Sequence, residues 1–253
     1  MDYLSKITTN GRAMYLAYDH GVEHGPVDLV GKSIDPEYIL DIAIRGGYNA
    51  VVLQEGIAEK YYYEAGYQDK IPLILKLNGK SSLVGGEPIS RQICSVDEAI
   101  RLGAAGVGYT IYLGSEHEPE MLKEFSKIED KAHEKGLAVI AWVYPRGKSV
   151  KDDKSPEITA YAARMALELG ADIAKIKYCG SVECFRRVVE SAGKTKVVLS
   201  GGVKTENPDD FLEVLKNVME AGAIGVAVGR NVWQSGDPLE ITQKIKSIIF
   251  NRE

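Results

Sequence analysis

Leu137-Ala138-Val139-Ile140-Ala141-Trp142-Val143-Tyr144-Pro145 is apolar from end to end and follows a glycine, Gly136. A charge-free run entered from a glycine stop reads as a strand buried on both faces, the kind that parallel sheets use. Side chains alternate between the two faces of a strand. The odd positions Leu137, Val139, Ala141 and Val143 are aliphatic and suit packing beneath helices. The even positions end in Trp142 and Tyr144, which are expected to point inward at the C-terminal rim.

Runs of the same kind recur on both sides of this one. They are Ala13–Asp19, Asn49–Gln54, Pro72–Asn78, Gly106–Leu113, Asp172–Cys179, Lys196–Gly202 and Ile224–Asn231. Helical patterns separate them. Asp35-Pro36-Glu37, Ser155-Pro156-Glu157, Asn207-Pro208-Asp209 and Asp237-Pro238 each place a capping side chain before a proline at the first helical position. Ser95-Val96-Asp97-Glu98 reads as a capping box opening a helix over Val96–Leu102. Glycine stops at Gly46-Gly47, Gly103, Gly136, Gly170 and Gly222 lead straight into the next apolar run. Eight βα repeats with no linker or low-complexity segment predict one α/β domain over residues 1–253, a single (β/α)8 TIM barrel.

Bulk properties narrow the function classes. At 253 residues and 45% apolar content the chain can build one large core. A net charge of −5 with a pI near 5.6 argues against a nucleic-acid partner, which calls for a basic face. No run approaches the roughly 20 apolar residues that span a bilayer, so no membrane partner is expected. Met1 to Tyr15 carries no secretory signal. Cys94, Cys179 and Cys184 lack zinc-like spacing and read as reduced cysteines of a cytoplasmic protein.

Parity then sends polar groups to one end of the barrel. Leu73, Leu75 and Leu77 face out, leaving Lys76, Asn78 and Lys80 inward. Asp19 falls opposite Met14 and Leu16; Lys175 and Lys177 share a face opposite Ala174 and Ile176. Barrels of this kind place their chemistry at the C-terminal end.

The two lysines are the most informative. An ammonium on a covered strand costs several kcal/mol unless it is paired, with Asp19 as one available partner. An amine attacks a carbonyl only when neutral, and burial together with a neighbouring cation lowers its pKa from ~10.4. Lys175 and Lys177 could supply both effects to each other. Imine chemistry also needs proton transfer, for which Tyr144 is placed, its phenol expected to be acidified by nearby ammonium groups. Asp19 could orient or deprotonate the amine.

Ser200-Gly201-Gly202 closes the seventh run and Gly229-Arg230 the eighth, where such barrels bind phosphate. Arg230 would add a bidentate donor. Arg146 and Lys80 are candidates for a second phosphate, with surface cations as the plain alternative. Asp19-His20-Gly21-Val22-Glu23-His24-Gly25 could ligate a metal, but Gly21 and Gly25 suggest a loop without helical convergence, so no metal is expected and His24 is assigned to substrate. Tyr61-Tyr62-Tyr63 and the C-terminal helix Leu239–Phe250 read as packing or subunit-contact surfaces, which hints at a homo-oligomer.

The chain resembles the archaeal-type class I fructose-bisphosphate aldolases over essentially its whole length. Ala17-Tyr18-Asp19-His20-Gly21, Val22-Glu23-His24-Gly25-Pro26, Pro72–Lys80, Trp142-Val143-Tyr144-Pro145-Arg146-Gly147, Lys175-Ile176-Lys177-Tyr178, Ser200-Gly201-Gly202 and Ala227–Trp233 carry the likeness. It implies cleavage of fructose 1,6-bisphosphate without cofactor or metal. It implies Lys175 as the Schiff-base former, Tyr144 as proton donor and acceptor, Asp19 as helper, Trp142 in the wall and the ketose phosphate on the Ser200–Gly202 and Gly229-Arg230 loops. It also implies a decamer of two pentamers. Val203 stands where close relatives often have proline. The alternatives are a related Schiff-base aldolase or transaldolase-like synthase acting on another phosphorylated ketose, a non-covalent phosphate-binding barrel, and a non-enzymatic phosphosugar binder.

Overall fold

The computed structural model describes residues 2–251 and closes eight parallel strands into one barrel. They are β1 (Ala13–Tyr18), β2 (Ala50–Gln54), β3 (Leu73–Lys76), β4 (Gly106–Leu113), β5 (Ala138–Pro145), β6 (Ile173–Ile176), β7 (Lys196–Ser200) and β8 (Gly225–Val228). Each pairs with its sequence neighbours, and β8 closes on β1 from Ala13↔Gly225 to Leu16↔Val228. That seam requires a glycine, because a Cβ on Gly225 would fall 1.7 Å from the Ala13 carbonyl oxygen. The expected (β/α)8 barrel is formed.

The long outer helices are α1 (Pro36–Gly46), α2 (Val96–Arg101), α3 (Glu118–Glu134), α4 (Pro156–Glu168), α5 (Val182–Ser191), α6 (Pro208–Glu220) and α7 (Pro238–Phe250). Short helical turns, Glu55–Ile57 and Ala58–Tyr63, make the crossover from β2 to β3. Asp35, Ser155, Asn207 and Asp237 cap their helices by accepting from backbone N–H groups at 2.9–3.3 Å, each worth about 1 kcal/mol. The capping box at Ser95 is half made. Ser95 accepts from the Glu98 N–H at 3.0 Å, but the Glu98 carboxylate turns to Arg101, whose charge offers the stronger partner.

Parity holds through the barrel. Leu73, Leu75, Leu77, Val139, Ala141, Val143, Ala174 and Ile176 pack outward between strands and helices. A smaller inner cluster holds Ala13, Tyr15, Ala17, Ala50, Val52, Ile74, Ile140, Trp142, Ile173 and Val198. Ile7, fully buried and flanked by Tyr3 and Leu4, seals the N-terminal end of this inner cluster.

Strand ends differ from expectation where partners run out. β6 stops at Ile176 because its last pair with β5 is Trp142↔Lys175 and its last pair with β7 is Ile176↔Leu199. Lys177 to Cys179 therefore leave the sheet. β8 likewise ends at Val228, and Arg230–Trp233 forms a helical turn instead of extending the strand to Asn231. Asn78–Gly79 pairs antiparallel with Arg91–Gln92 rather than prolonging β3.

The tyrosine run is not a uniform exposed surface. Tyr62 is fully buried and its hydroxyl donates to the Ile71 carbonyl at 2.7 Å. Helix α7 packs against α1 and α6, which accounts for its apolar face within the chain.

Candidate active site

Asp19, Lys76, Trp142, Tyr144, Lys175 and Lys177, all sent inward by parity, line one cavity of about 950 Å³ at the C-terminal mouth. Arg146, His24, Ser200, Gly201, Gly202, Gly229 and Arg230 complete the expected set. Lys80 is not brought in; its ammonium lies 5.9 Å from the Tyr112 ring, beside Arg146.

Lys175 is 6% exposed, and among the described residues its Nζ has no carboxylate within 4.0 Å. It stands 5.1 Å over the Trp142 ring. Burial pushes its pKa down; the Asp19 charge opposes this and the Arg230 charge reinforces it. The cation that assists is thus Arg230, not Lys177. Lys177 is the lysine that a carboxylate claims: its Nζ is ion-paired with Asp153 in the loop before α4. That loop carries no periodic pattern from which the pairing could be foreseen.

Lys76, inward by parity, also reaches the cavity. It is 6% exposed, donates to the Asn78 carbonyl at 3.1 Å, and faces the Trp142 ring from 5.7 Å. Burial lowers its pKa, Asp19 and Glu23 raise it, and the Lys175 charge lowers it. Two amines thus lie 5.7 and 5.1 Å from one indole. The ring fits because β4 offers Gly108 beneath it. The Trp142 Nε1–H is buried and has no partner among the described residues, which leaves a donor for a bound oxygen.

Tyr144 donates to or accepts from Ser200 Oγ at 3.2 Å. Its phenol pKa is raised, not lowered as expected, because burial outweighs every cation nearby. At neutral pH it is a protonated acid.

The rim after β7 and β8 is stitched by Asn231. Its amide donates to the carbonyls of Gly201 (2.8 Å) and Val203 (3.0 Å) and accepts from the Thr205 N–H at 2.9 Å. Gly201 must lack a side chain, since its Cβ would lie 2.8 Å from Val228 Cα. The Gly201 N–H is already spent on the Ala227 carbonyl at 3.0 Å. Among the hydrogen bonds of the described residues, none uses the N–H groups of Gly202 or Val203, which stay available to an anion. Arg230 is held between Asp28 Oδ2 (3.0 Å) and the Gly202 carbonyl (3.2 Å).

The histidine segment is not the loop that its glycines suggested. Gly21–His24 is a helical turn, and His20, His24 and Asp28 converge with ligand atoms within 4.8 Å of one another. Asp28 already has a cation in Arg230 and a hydrogen bond with His24 Nδ1 at 3.0 Å. Burial opposes its ionisation, yet His24 and Arg230 together hold its carboxyl below the usual range. The cluster therefore serves to brace Arg230.

The reading of three reduced cysteines is also corrected. Cys179 and Cys184 are joined as a disulfide, their Cα atoms 6.1 Å apart, while Cys94 is free and buried. Gly180, at φ 101°, turns the chain so that the first turn of α5 returns beneath Cys179.

A desolvated amine with no carboxylate in ion-pairing range among the described residues, a phenolic acid, and a rim of uncommitted N–H groups beside an arginine at a barrel mouth suit an imine-forming aldolase. Residues 13–235 match the model of the DeoC/LacD family aldolases. The chain is 50% identical to the class 1 fructose-bisphosphate aldolase of Thermoproteus tenax over 98% of its own length and 93% of that protein's. It is 37% identical, over 98% of its length and 84% of the relative's, to the Methanocaldococcus jannaschii fructose-bisphosphate aldolase/6-deoxy-5-ketofructose 1-phosphate synthase. A solved archaeal fructose-1,6-bisphosphate aldolase, its catalytic lysine bound to the carbinolamine intermediate, superposes with a TM-score of 0.93 at 49% identity, covering 98% of this chain and 97% of that one. The chain belongs to the DeoC/LacD aldolase family, among its archaeal-type class I fructose-bisphosphate aldolases.

Proposed function

We infer that this chain reversibly cleaves fructose 1,6-bisphosphate to dihydroxyacetone phosphate and glyceraldehyde 3-phosphate through a Schiff base on Lys175. The observation that carries the assignment is the buried Lys175 amine, unpaired with any carboxylate among the described residues, in the wall of a cavity also lined by Arg230, Gly202 and Arg146. The neutral amine adds to the C2 carbonyl, and loss of water gives the iminium, with Asp19 assisting the proton transfers. The C4 hydroxyl proton passes to the Tyr144 oxygen while the Tyr144 O–H proton moves on to the Asp19 carboxylate, the C3–C4 bond breaks and its electrons enter the iminium, leaving an enamine. Tyr144 relays this proton and returns one to C3, after which hydrolysis frees dihydroxyacetone phosphate. The Trp142 N–H is placed to donate to a substrate oxygen. One phosphate sits at Ser200, Gly202, Gly229 and Arg230, the last braced through Asp28 by His24, and Arg146 and Lys177 face the other.

Borohydride reduction with dihydroxyacetone phosphate, followed by peptide mapping, tests the assignment. The adduct is expected on Lys175; an adduct on Lys76 or Lys177 overturns it. A coupled cleavage assay is expected to give the same rate with and without chelator. The relative with a second, synthase activity supports an alternative in which the enamine is passed to another aldehyde, and offering acceptor aldehydes other than glyceraldehyde 3-phosphate separates the two. By the family resemblance the assembly is a decamer of two pentamers acting in the cytoplasm, which mass measurement in solution and cell fractionation check.

A further inference from the structure

The β6–α5 connection holds chemistry that the aldolase reaction does not use. Tyr178, Cys179 and Gly180 lie outside every strand and helix yet form part of the cavity wall, directly after the strand that carries Lys175. Two ties hold this wall. The Tyr178 hydroxyl accepts from the Asn217 amide on α6 at 3.3 Å, and Cys179 is joined to Cys184. The two ends of the second tie differ. Cys184 is fixed whatever the state of its sulfur, because its N–H donates to the capping Ser181 Oγ at 3.1 Å and the adjacent Phe185 is fully buried. Among the described residues no such hydrogen bond anchors Cys179. Both residues are only half-buried, and a Cα separation of 6.1 Å is within the span of a disulfide, so the bond can open and re-form without moving α5. Cys184 also occupies the first turn of α5, where a thiolate is favoured.

We propose that Cys179 and Cys184 form a reversible dithiol–disulfide site in the active-site wall, oxidised by small-molecule disulfides and reduced by dithiols, whose state sets the affinity of the cavity for its phosphorylated substrate. The Cys184 thiolate attacks one sulfur of the small disulfide and expels the first thiolate. The Cys179 thiolate then attacks the Cys184 sulfur of the mixed disulfide and expels the second. Two protein thiols lose two electrons and two protons; the small disulfide gains them and becomes two thiols. The closed form fixes the wall beside Lys177, and the open form releases it. The effect on affinity rests on the aldolase reading, whereas the thiol chemistry does not.

The test uses the full chain, oxidised with glutathione disulfide and then reduced with dithiothreitol, with thiols alkylated under native conditions and located by mass spectrometry. Cys179 and Cys184 are expected to be alkylated only after reduction, and Cys94, 5% exposed, in neither form. The KM for the ketose bisphosphate is expected to be roughly fivefold lower in the oxidised form, reversibly, with kcat changed less. Cys184→Ser is expected to turn over with one KM under both treatments. Alkylation that ignores the treatment, equal KM values in the two forms, or a Cys184→Ser enzyme that still responds each overturns the proposal. Absence of turnover and of borohydride trapping in both forms would instead remove the aldolase reading, leaving the alkylation pattern to decide the redox site.

Discussion

Gly108 on β4 faces Trp142 on β5 so closely that a Cβ on the glycine would fall 2.0 Å from the indole ring. The missing side chain is what lets the ring lie where both Lys175 and Lys76 reach it. Gly108→Ala is expected to cost roughly 1–3 kcal/mol through overpacking and to lower kcat by displacing the wall beside the amine. Denaturant midpoints and steady-state rates measure both, and a variant with unchanged stability and rate would show that the contact yields freely.

Lys175→Ala is expected to lose both borohydride trapping and turnover. Tyr144→Phe should keep trapping while turnover drops about 10²–10⁴-fold, the usual worth of a positioned acid–base group. Retention of trapping by Lys175→Ala would move the nucleophile to another lysine.

Burial holds the Lys175 pKa down, and that has a defined sign. Below its depressed folded value the amine is charged in both folded and unfolded chains, and desolvation acts in full. Between that value and the ordinary ~10.4 the folded chain has shed the proton while the unfolded chain keeps it, so stability rises with pH across this window. kcat/KM should rise over the same lower limb, as the neutral nucleophile accumulates. Lys175→Met is therefore expected to stabilise the fold at neutral pH, by on the order of 1–3 kcal/mol, with the gain shrinking toward pH 10. A gain independent of pH would mean that packing, not charge, is responsible.

Arg230→Ala removes a cation that Asp28 and the Gly202 carbonyl hold in place. Loss of a charge-assisted contact to a phosphate is worth about 1.5–3 kcal/mol, so kcat/KM should fall roughly 10–100-fold. Asp28→Asn keeps the guanidinium but loosens it, and a smaller effect of the same direction is expected in inhibition by inorganic phosphate. An Asp28→Asn enzyme with tighter phosphate inhibition would contradict the bracing role.

Much of the barrel was legible because side-chain alternation is a local rule. Trp142, Tyr144, Lys175 and Lys76 each stand where counting from an aliphatic neighbour puts them. What could not be read depends on distant partners. Asp153 takes Lys177, and Arg230 rather than Lys177 presses on Lys175; neither is visible from spacing within a strand. The acidity of Tyr144 was misjudged for a related reason: neighbouring cations can be named from a sequence, whereas the depth of burial that outweighs them depends on the whole barrel. Local chemistry also misleads at His20–Asp28, where two glycines suggest a loop although the chain continues in helical turns.

Ile7 stoppers the barrel's lower end. With that floor shut, reactant and products must share a single doorway. On the proposed chemistry the three-carbon fragment held by Lys175 is the inner passenger, and the aldehyde standing nearer the threshold leaves before it. The closed floor thus enforces the same departure order as the covalent bond.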